Sequence, residues 1–327
     1  MPVIDIHTHM MSDAWLALLK VHGAPHYGIG RIKGGHDAIL EESAPFLTLT
    51  PGMFDYRLRL AEMDRHGVDL GVVSLTCPSV YWGSAEQSAH AARTINDDMR
   101  AAQTAHPDRI RYLATLPWQH AQLAVEELAR ACDAGAVGVM VLANIRGAHL
   151  TDDQFAPIWR AIDARALPVL VHPANPPGYR DQALGEYNLA ATVGFVYDTT
   201  LAVTRMVMSG FLDRHPNLKL IAAHGGGTIP YVNARIDKFH ELMVTAREKI
   251  ADPPSSYFRR IFYDAVVYQD NALHAVIDLA GASNVLYGSD YPHVTGDMAG
   301  CLARVNALTA AEREAIRGGN AQRIFRL

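Results

Sequence analysis

Short runs of β-branched and apolar residues alternate along the chain with segments of helical periodicity, and this alternation limits the fold more than any other feature of the sequence. Repeated strand–helix units predict a parallel sheet covered by helices. The predicted strands are Val3–His7, Leu70–Thr76, Ile110–Leu116, Ala136–Leu142, Leu167–His172, Leu218–Ala223, Ile261–Val267 and Val285–Tyr287. The clearest amphipathic segments between them are Ser88–Thr104, Ala121–Ala134, Asp152–Ala164 and Leu273–Ala280.

Eight strands in a chain of 327 residues predict a closed (β/α)8 TIM barrel, because eight is the number of strands at which side chains just fill the interior. A doubly wound open sheet is the structural alternative, but no glycine-rich phosphate loop follows the first strand. We find no repeat, low-complexity tract or linker, and we therefore expect one domain over residues 1–327. The connection after the first strand, about residues 10–51, is unusually long and is predicted to be a lid over a pocket.

The composition excludes several classes of partner. Hydrophobic residues make up 49 % and charged residues 19 %, which is typical of globular proteins, and a net charge of −5 gives no electrostatic reason to expect nucleic acid or an anionic membrane. No apolar run is long enough to span a bilayer. The three cysteines are far apart in sequence and form no CxxC motif, so we expect reduced thiols and a cytoplasmic protein.

Distinctive polar residues stand where the predicted strands end. His7 and His9 are two residues apart, so in an extended chain their imidazoles share a face. His172 ends the fifth predicted strand, His224 follows the sixth, and Asp290 follows the eighth. Because strand ends of a barrel converge on one rim, these five residues are candidate ligands or bases of one site.

Three imidazoles and a carboxylate, with a position left for water or substrate, suit a catalytic divalent cation. Zinc is the expected ion, and manganese is the alternative that a histidine-rich set favours less. The competing interpretation is an accidental gathering of buried polar groups, each of which costs free energy when it lacks a hydrogen-bond partner.

Four motifs carry a resemblance to a known family: H-T-H at 7–9, VHP at 171–173, HGGG at 224–227 and GSDYP at 288–292. With them the sequence resembles the amidohydrolase superfamily, and within it the decarboxylase branch typified by 2-amino-3-carboxymuconate-6-semialdehyde decarboxylase. The similarity runs nearly end to end and includes RLAEMDRHGVD at 59–69, HPDRI at 106–110 and GNAQRIF at 319–325.

The resemblance implies a role for individual residues. It implies that His7, His9, His172 and Asp290 bind a single zinc ion. The position of His224 is that of the acid/base group that acts on metal-bound water or on the substrate, and we expect Asp290 to move a proton as well. The resemblance also implies a homodimer.

In that dimer an arginine after HGGG reaches the neighbouring active site, and Arg235 occupies the matching position. The sequence departs from the branch in one respect. A carboxylate-binding arginine is expected in the insertion, but Arg57 and Arg59 fall too late to match it, so the muconate substrate is not carried over.

Four further residues are candidates for contact with the substrate. Tyr81 and Trp82 follow the second strand and are predicted to form an apolar wall for a flat ring, although ordinary loop packing explains them equally well. Asn175 and His293 follow the fifth and eighth strands and are candidates for hydrogen bonds to a small-molecule carboxylic acid.

The function predicted from these observations is a metal-dependent decarboxylase of an aromatic hydroxyacid or a muconate-semialdehyde-type acid, as in the catabolism of aromatic compounds. A hydrolase or hydratase that opens a lactone or cleaves a carbon–carbon bond is the alternative, because fold and metal do not fix the chemistry. A barrel that only binds a ligand is a third hypothesis, and the complete set of candidate ligands argues against it.

Overall fold

The computed structural model describes all 327 residues, and at its centre eight parallel strands follow one another in sequence order around a nearly closed barrel. The barrel strands are β1 (Ile4–His9), β2 (Leu70–Ser74), β3 (Ile110–Thr115), β4 (Gly138–Leu142), β5 (Pro168–His172), β6 (Lys219–Ala222), β7 (Phe262–Asp264) and β8 (Val285–Leu286). Backbone hydrogen bonds join the last strand region to the first, from the Ile6 N–H to the Tyr287 carbonyl oxygen (3.0 Å) and from the Asp290 N–H to the His7 carbonyl oxygen (2.8 Å). The predicted barrel is confirmed.

Amphipathic helices surround the barrel. Ala121–Asp133 is representative, since Ala124, Leu128 and Ala131 fall on one face and are buried. The α-helices are Asp13–His22, Tyr56–His66, Ala85–Ala105, Ala121–Asp133, Ala156–Ala164, Phe195–Met208, Phe211–Arg214, Ile229–Leu242, Pro254–Phe258, Asp270–Ala280, Met298–Asn306, Ala310–Glu314 and Asn320–Phe325. No helix combines the length and the apolar character that a membrane crossing requires.

The long first connection has its own secondary structure. It contains the helix Asp13–His22 and an antiparallel sheet of three strands, Tyr27–Arg31, Asp37–Glu41 and Ala44–Thr48, which we call the insertion sheet. Trp15 and Ile39 of this segment are fully buried in the same apolar core as the barrel. The insertion therefore packs on the barrel.

The seventh strand is shorter than the predicted Ile261–Val267. It ends at Asp264, whose carboxylate accepts a hydrogen bond from the Val266 N–H (3.0 Å) and so turns the chain out of the sheet. The three cysteines, Cys77, Cys132 and Cys301, form no disulfide, as predicted.

Candidate active site

Four of the five strand-end residues bring their ligand atoms together at the carboxyl end of the barrel. His7 and His9 lie on β1, His172 is the last residue of β5, and Asp290 follows β8. One nitrogen or oxygen atom from each lies within 4.8 Å of those of the other three, and all four residues are buried. The register of β1 against β2 shifts between Asp5 and Thr8, at the point where the two imidazoles enter the site.

Hydrogen bonds to the Nδ1 atoms determine which nitrogen of each imidazole faces the centre. Nδ1 of His7 donates to Asp264 Oδ2 (2.6 Å), and Nδ1 of His172 donates to the Pro173 carbonyl oxygen (2.9 Å). Nδ1 of His9 lies 3.1 Å from Ser74 Oγ. With the protons on Nδ1, each Nε2 atom presents a lone pair to the same small volume.

The central atoms lack hydrogen-bond donors of their own. The Nε2 atoms of His7 and His9 are 3.1 Å apart, and two unprotonated nitrogens at that distance cannot satisfy each other. The buried Nε2 of His172 and Oδ1 of Asp290 have no hydrogen-bond partner. Three nitrogen lone pairs and a carboxylate oxygen fit a divalent metal cation, which would satisfy all of them.

The pKa values of His9, His172 and Asp290 favour the forms that bind metal, whereas a cation would have to displace a proton from His7. Burial lowers the pKa of His9 to about 3 and that of His172 well below its ordinary value, so both rings are neutral. Burial also acts to lower the pKa of His7, but the charge of Asp264 outweighs it and raises this pKa to about 10. Burial acts to raise the pKa of Asp290, and the surrounding imidazoles, first His293, instead hold it well below its ordinary value.

Asp264, at the end of β7, connects the metal ligands to the backbone that carries His224. Besides the His7 imidazole it accepts hydrogen bonds from the N–H groups of His224 and Gly225, both at 2.9 Å. Burial acts to raise its pKa, and these partners, above all His7, hold the pKa below its ordinary value. The sequence analysis missed this residue, although an acidic residue inside the seventh predicted strand was a usable signal.

We expect Asp264→Asn to weaken metal binding by about 10- to 100-fold, the usual cost of losing a partner that orients a metal-bound histidine. An amide presents an oxygen and an NH2 group, so it does not hold the His7 ring as a carboxylate does. Competition with a chelator measures the affinity, and the exposed Asp278→Asn is the matched control. Equal affinities in the two variants would remove this role from Asp264.

A buried arginine fixes the strand that carries the histidine pair. Arg59 is fully buried; its Nη1 donates to Thr8 Oγ1 (2.6 Å), and its Nη2 donates to the His9 carbonyl oxygen. Its guanidinium lies 4.9 Å from the centroid of the Tyr291 ring, next to Asp290. Arg59 thus joins β1 to the turn after β8 and lines neither of the cavities described below.

His224 and Asp290 both have left-handed backbone conformations, with φ values of 54° and 58°. Such conformations cost on the order of 1–3 kcal/mol in a non-glycine residue and are typical of functional sites. His224 Nε2 lies 3.7 Å from Asp290 Oδ2, and the His224 side chain is 14 % exposed. His224 is therefore beside the four-residue centre and reachable from the cavity above it.

A cavity of about 710 Å³, the larger cavity, lies over these residues. His172, His224, Asp290 and His293 form part of its lining. Its apolar lining includes Phe46, Leu47, Phe195, Val266 and Val294. A mainly apolar cavity with a few polar groups at one end suits a flat acid whose carboxylate faces the candidate metal centre.

The predicted substrate contacts fall in different places. His293 lines the larger cavity, with Nε2 3.0 Å from Thr76 Oγ1. Tyr81 and Asn175 instead line a second cavity of about 300 Å³, the smaller cavity. Trp82 is fully buried against Trp15 and lines neither cavity. Arg235 is exposed on the helix Ile229–Leu242, stacked over Phe239, and also lines neither.

Sequence comparison places the chain among known proteins. The family model described as amidohydrolase matches residues 4–327. A 2-amino-3-carboxymuconate-6-semialdehyde decarboxylase of Dictyostelium discoideum is 28 % identical over 97 % of this chain and 90 % of its own length. A gamma-resorcylate decarboxylase of Polaromonas sp. is 31 % identical over 84 % of this chain and 87 % of its own.

Solved structures give the same fold. The 5-carboxyvanillate decarboxylase of Sphingomonas paucimobilis superposes with a TM-score of 0.87 at 27 % identity, over all of this chain and 99 % of its own. A dihydroxybenzoic acid decarboxylase from Polaromonas sp. JS666, solved with manganese and the inhibitor 2-nitroresorcinol, has a TM-score of 0.81 at 23 % identity, over all of this chain and 97 % of its own.

Proposed function

Because the chain belongs to the amidohydrolase family, we propose that it is a metal-dependent carboxy-lyase that decarboxylates an aromatic hydroxyacid or a muconate-semialdehyde-type acid. The observation that carries the proposal is the meeting of three Nε2 atoms and one carboxylate beneath a largely apolar cavity. Relatives named as decarboxylases that cover most of both chains support the reaction type.

His7, His9, His172 and Asp290 would hold the metal ion. When bound, the ion would supply the Lewis-acid chemistry that stabilises negative charge developing on the substrate. Asp264, Ser74 and the Pro173 carbonyl oxygen keep the three imidazoles in the orientation that this requires. Phe46, Phe195 and Val266 exclude water from the face of the ring.

His224 is the proposed acid/base group. In a decarboxylation the bond between the ring carbon and the carboxylate breaks, its electron pair stays on the ring carbon, and a proton must reach that carbon. We propose that His224 Nε2, at the floor of the larger cavity, delivers this proton to the ring carbon, and that Asp290 Oδ2, 3.7 Å away, passes a proton from solvent back to the His224 ring after turnover. His293 contributes a further polar contact to the substrate.

Zinc is the proposed ion, because a set of three imidazoles and one carboxylate favours it over manganese. One structural neighbour was solved with manganese bound, so the activities of this protein with zinc and with manganese should both be measured. Reconstitution of chelator-treated protein with each ion, followed by assay of the rate per bound ion, decides between them.

Product analysis tests the reaction type. We expect purified, metal-analysed protein to release carbon dioxide from at least one member of a panel of hydroxybenzoates, vanillate-like acids and muconate semialdehydes. In isotopically labelled water the organic product of a lyase gains no solvent oxygen. Incorporation of solvent oxygen without carbon dioxide release would instead establish the hydrolase or hydratase alternative.

We also propose that the chain acts as a single cytoplasmic domain and that the insertion serves as a lid over the active site. Phe46, Leu47 and Thr48 of the insertion sheet line the larger cavity, which supports this role.

We propose further that the chain forms a homodimer in which Arg235 of one subunit reaches the larger cavity of the other. Tyr231, 90 % exposed, and Leu242, 60 % exposed, give the helix that carries Arg235 an apolar surface suited to a second copy of the chain.

Mixing two inactive variants tests the role of Arg235 across the dimer. Arg235→Ala and His224→Asn chains are each expected to be inactive alone. After unfolding and refolding together, a mixed dimer has one site with both residues intact, so roughly a quarter of the wild-type activity returns if chains pair at random. A mixture that stays inactive while forming dimers would show that each chain supplies both residues to its own site.

A further inference from the structure

The smaller cavity has no role in the reaction described so far. It lies between the insertion sheet, which contributes Tyr27 and Glu41, and the loops after β2, β4 and β5, which contribute Tyr81, Asn144 and Asn175. Phe46 and Cys77 line this cavity and the larger one alike. The two cavities are therefore neighbours, and a molecule bound over the metal ligands has the smaller cavity at its side.

Two buried polar atoms of this lining have no hydrogen-bond partner. Tyr81 is 2 % exposed, and its hydroxyl group lies near the Leu142 backbone and the Ser79 side chain without a hydrogen bond of good geometry to either. The buried Oδ1 atom of Asn175 is also without a partner. Because a buried polar group without a partner costs about 1–3 kcal/mol, two of them at one cavity indicate a place where a polar ligand group binds.

The remaining groups determine the kind of ligand. The Glu41 carboxylate accepts hydrogen bonds from the Tyr27 hydroxyl (3.2 Å) and from Asn175 Nδ2, both of them neutral donors. Its neighbour Glu42, in contrast, is paired with Arg180. Arg146, on the cavity rim, contacts the His26 ring. Glu41 therefore carries a negative charge without a paired cation.

We propose that the smaller cavity is a subsite of the active site that binds an amino or hydroxyl substituent on the substrate, remote from the carboxylate that is lost. Asn175 Oδ1 and Glu41 are acceptors and the Tyr81 hydroxyl accepts or donates, so these three groups favour a substituent that donates hydrogen bonds, while Arg146 at the rim is a donor that contacts only the His26 ring. A second carboxylate at this position would meet the Glu41 charge and is disfavoured. The inference rests on the proposed function for the placement of the acid itself.

Calorimetric titration of the zinc-loaded protein tests the subsite. The ligands are 2-hydroxybenzoate and its 4-amino, 4-aminomethyl and 4-carboxy derivatives. We expect the better of the two amino compounds to bind about tenfold more tightly than 2-hydroxybenzoate, the gain from one good hydrogen bond to a charged group. The 4-carboxy derivative should bind more weakly than 2-hydroxybenzoate.

Two variants and a control test whether the tighter binding of the amino compound depends on the smaller cavity. Glu41→Gln and Tyr81→Phe should each reduce the affinity ratio of amino compound to parent to about 3 or less. Tyr56→Phe, which removes another buried hydroxyl without a partner at a site that lines neither cavity, should leave the ratio unchanged.

The outcomes separate the subsite from the proposed function. Equal affinities of the amino compounds and the parent, or a preference that persists in both variants, overturns the subsite. Tight binding of an amino compound, together with no carbon dioxide release from any acid of the panel described above, overturns the decarboxylase and leaves the subsite in place. No binding of any of the four acids contradicts both.

Discussion

Replacing Asp290 with alanine should remove both the metal and the turnover. Its carboxylate is the only negatively charged member of the four-residue set, and its Oδ1 atom lies 3.3 Å from His7 Nε2 and 3.2 Å from His9 Nε2. Without it, the cation keeps three neutral imidazole ligands and no negatively charged ligand. A loss of several kcal/mol corresponds to a decrease in turnover of about 10³-fold or more.

Two measurements on Asp290→Ala are needed together. Elemental analysis after dialysis should give well under one metal ion per chain, and the rate of carbon dioxide release should fall with it. The exposed Asp278→Ala is the matched control and should retain both. A variant at position 290 that keeps its full metal content would show that this carboxylate is not a ligand.

Replacing His224 with asparagine should separate metal binding from catalysis. His224 is not a member of the four-residue set, but its Nε2 atom faces the larger cavity beside Asp290. Asparagine keeps a polar side chain and also tolerates the left-handed backbone at this position. We expect an unchanged metal content and a turnover lower by about 10²- to 10⁴-fold, the range for a lost general acid or base.

The His224→Asn result is read against the exposed His36→Asn, which should behave as wild type. A structural role for His224 would lower the melting temperature of the metal-loaded protein together with the rate. A near-normal rate in the His224 variant would assign proton transfer to another group, with His293 next in position.

Much of this architecture was predictable because it follows from periodicity. Alternating apolar strands and amphipathic helices specify the barrel, and residues at strand ends such as His172 must lie on one rim once the barrel closes. The side-by-side placement of His7 and His9 needs only the two-residue period of a strand. These inferences depend only on local sequence patterns and on the rule that the carboxyl ends of all barrel strands lie on the same rim.

The roles of several residues could not be predicted from the sequence, because they depend on contacts between distant segments of the chain. Asp264 pairs with His7 across 257 positions, so its place inside the seventh predicted strand marks it as unusual but does not identify its partner. Arg59 falls too late in the sequence to match the expected carboxylate-binding arginine, and only the structure shows that its guanidinium hydrogen-bonds to Thr8 and His9 of β1. Trp82 is adjacent to Tyr81 in sequence, yet it packs in the core while Tyr81 lines the smaller cavity.

The central claim is that one divalent ion, held by His7, His9, His172 and Asp290, is required for carbon dioxide release. Stepwise addition of zinc to chelator-treated protein tests it most directly, with bound metal and rate measured on the same samples. The account predicts that the rate rises in proportion to bound zinc and reaches its plateau at one ion per chain. Full activity in the metal-free protein, or a rate that does not follow the bound metal, would contradict it.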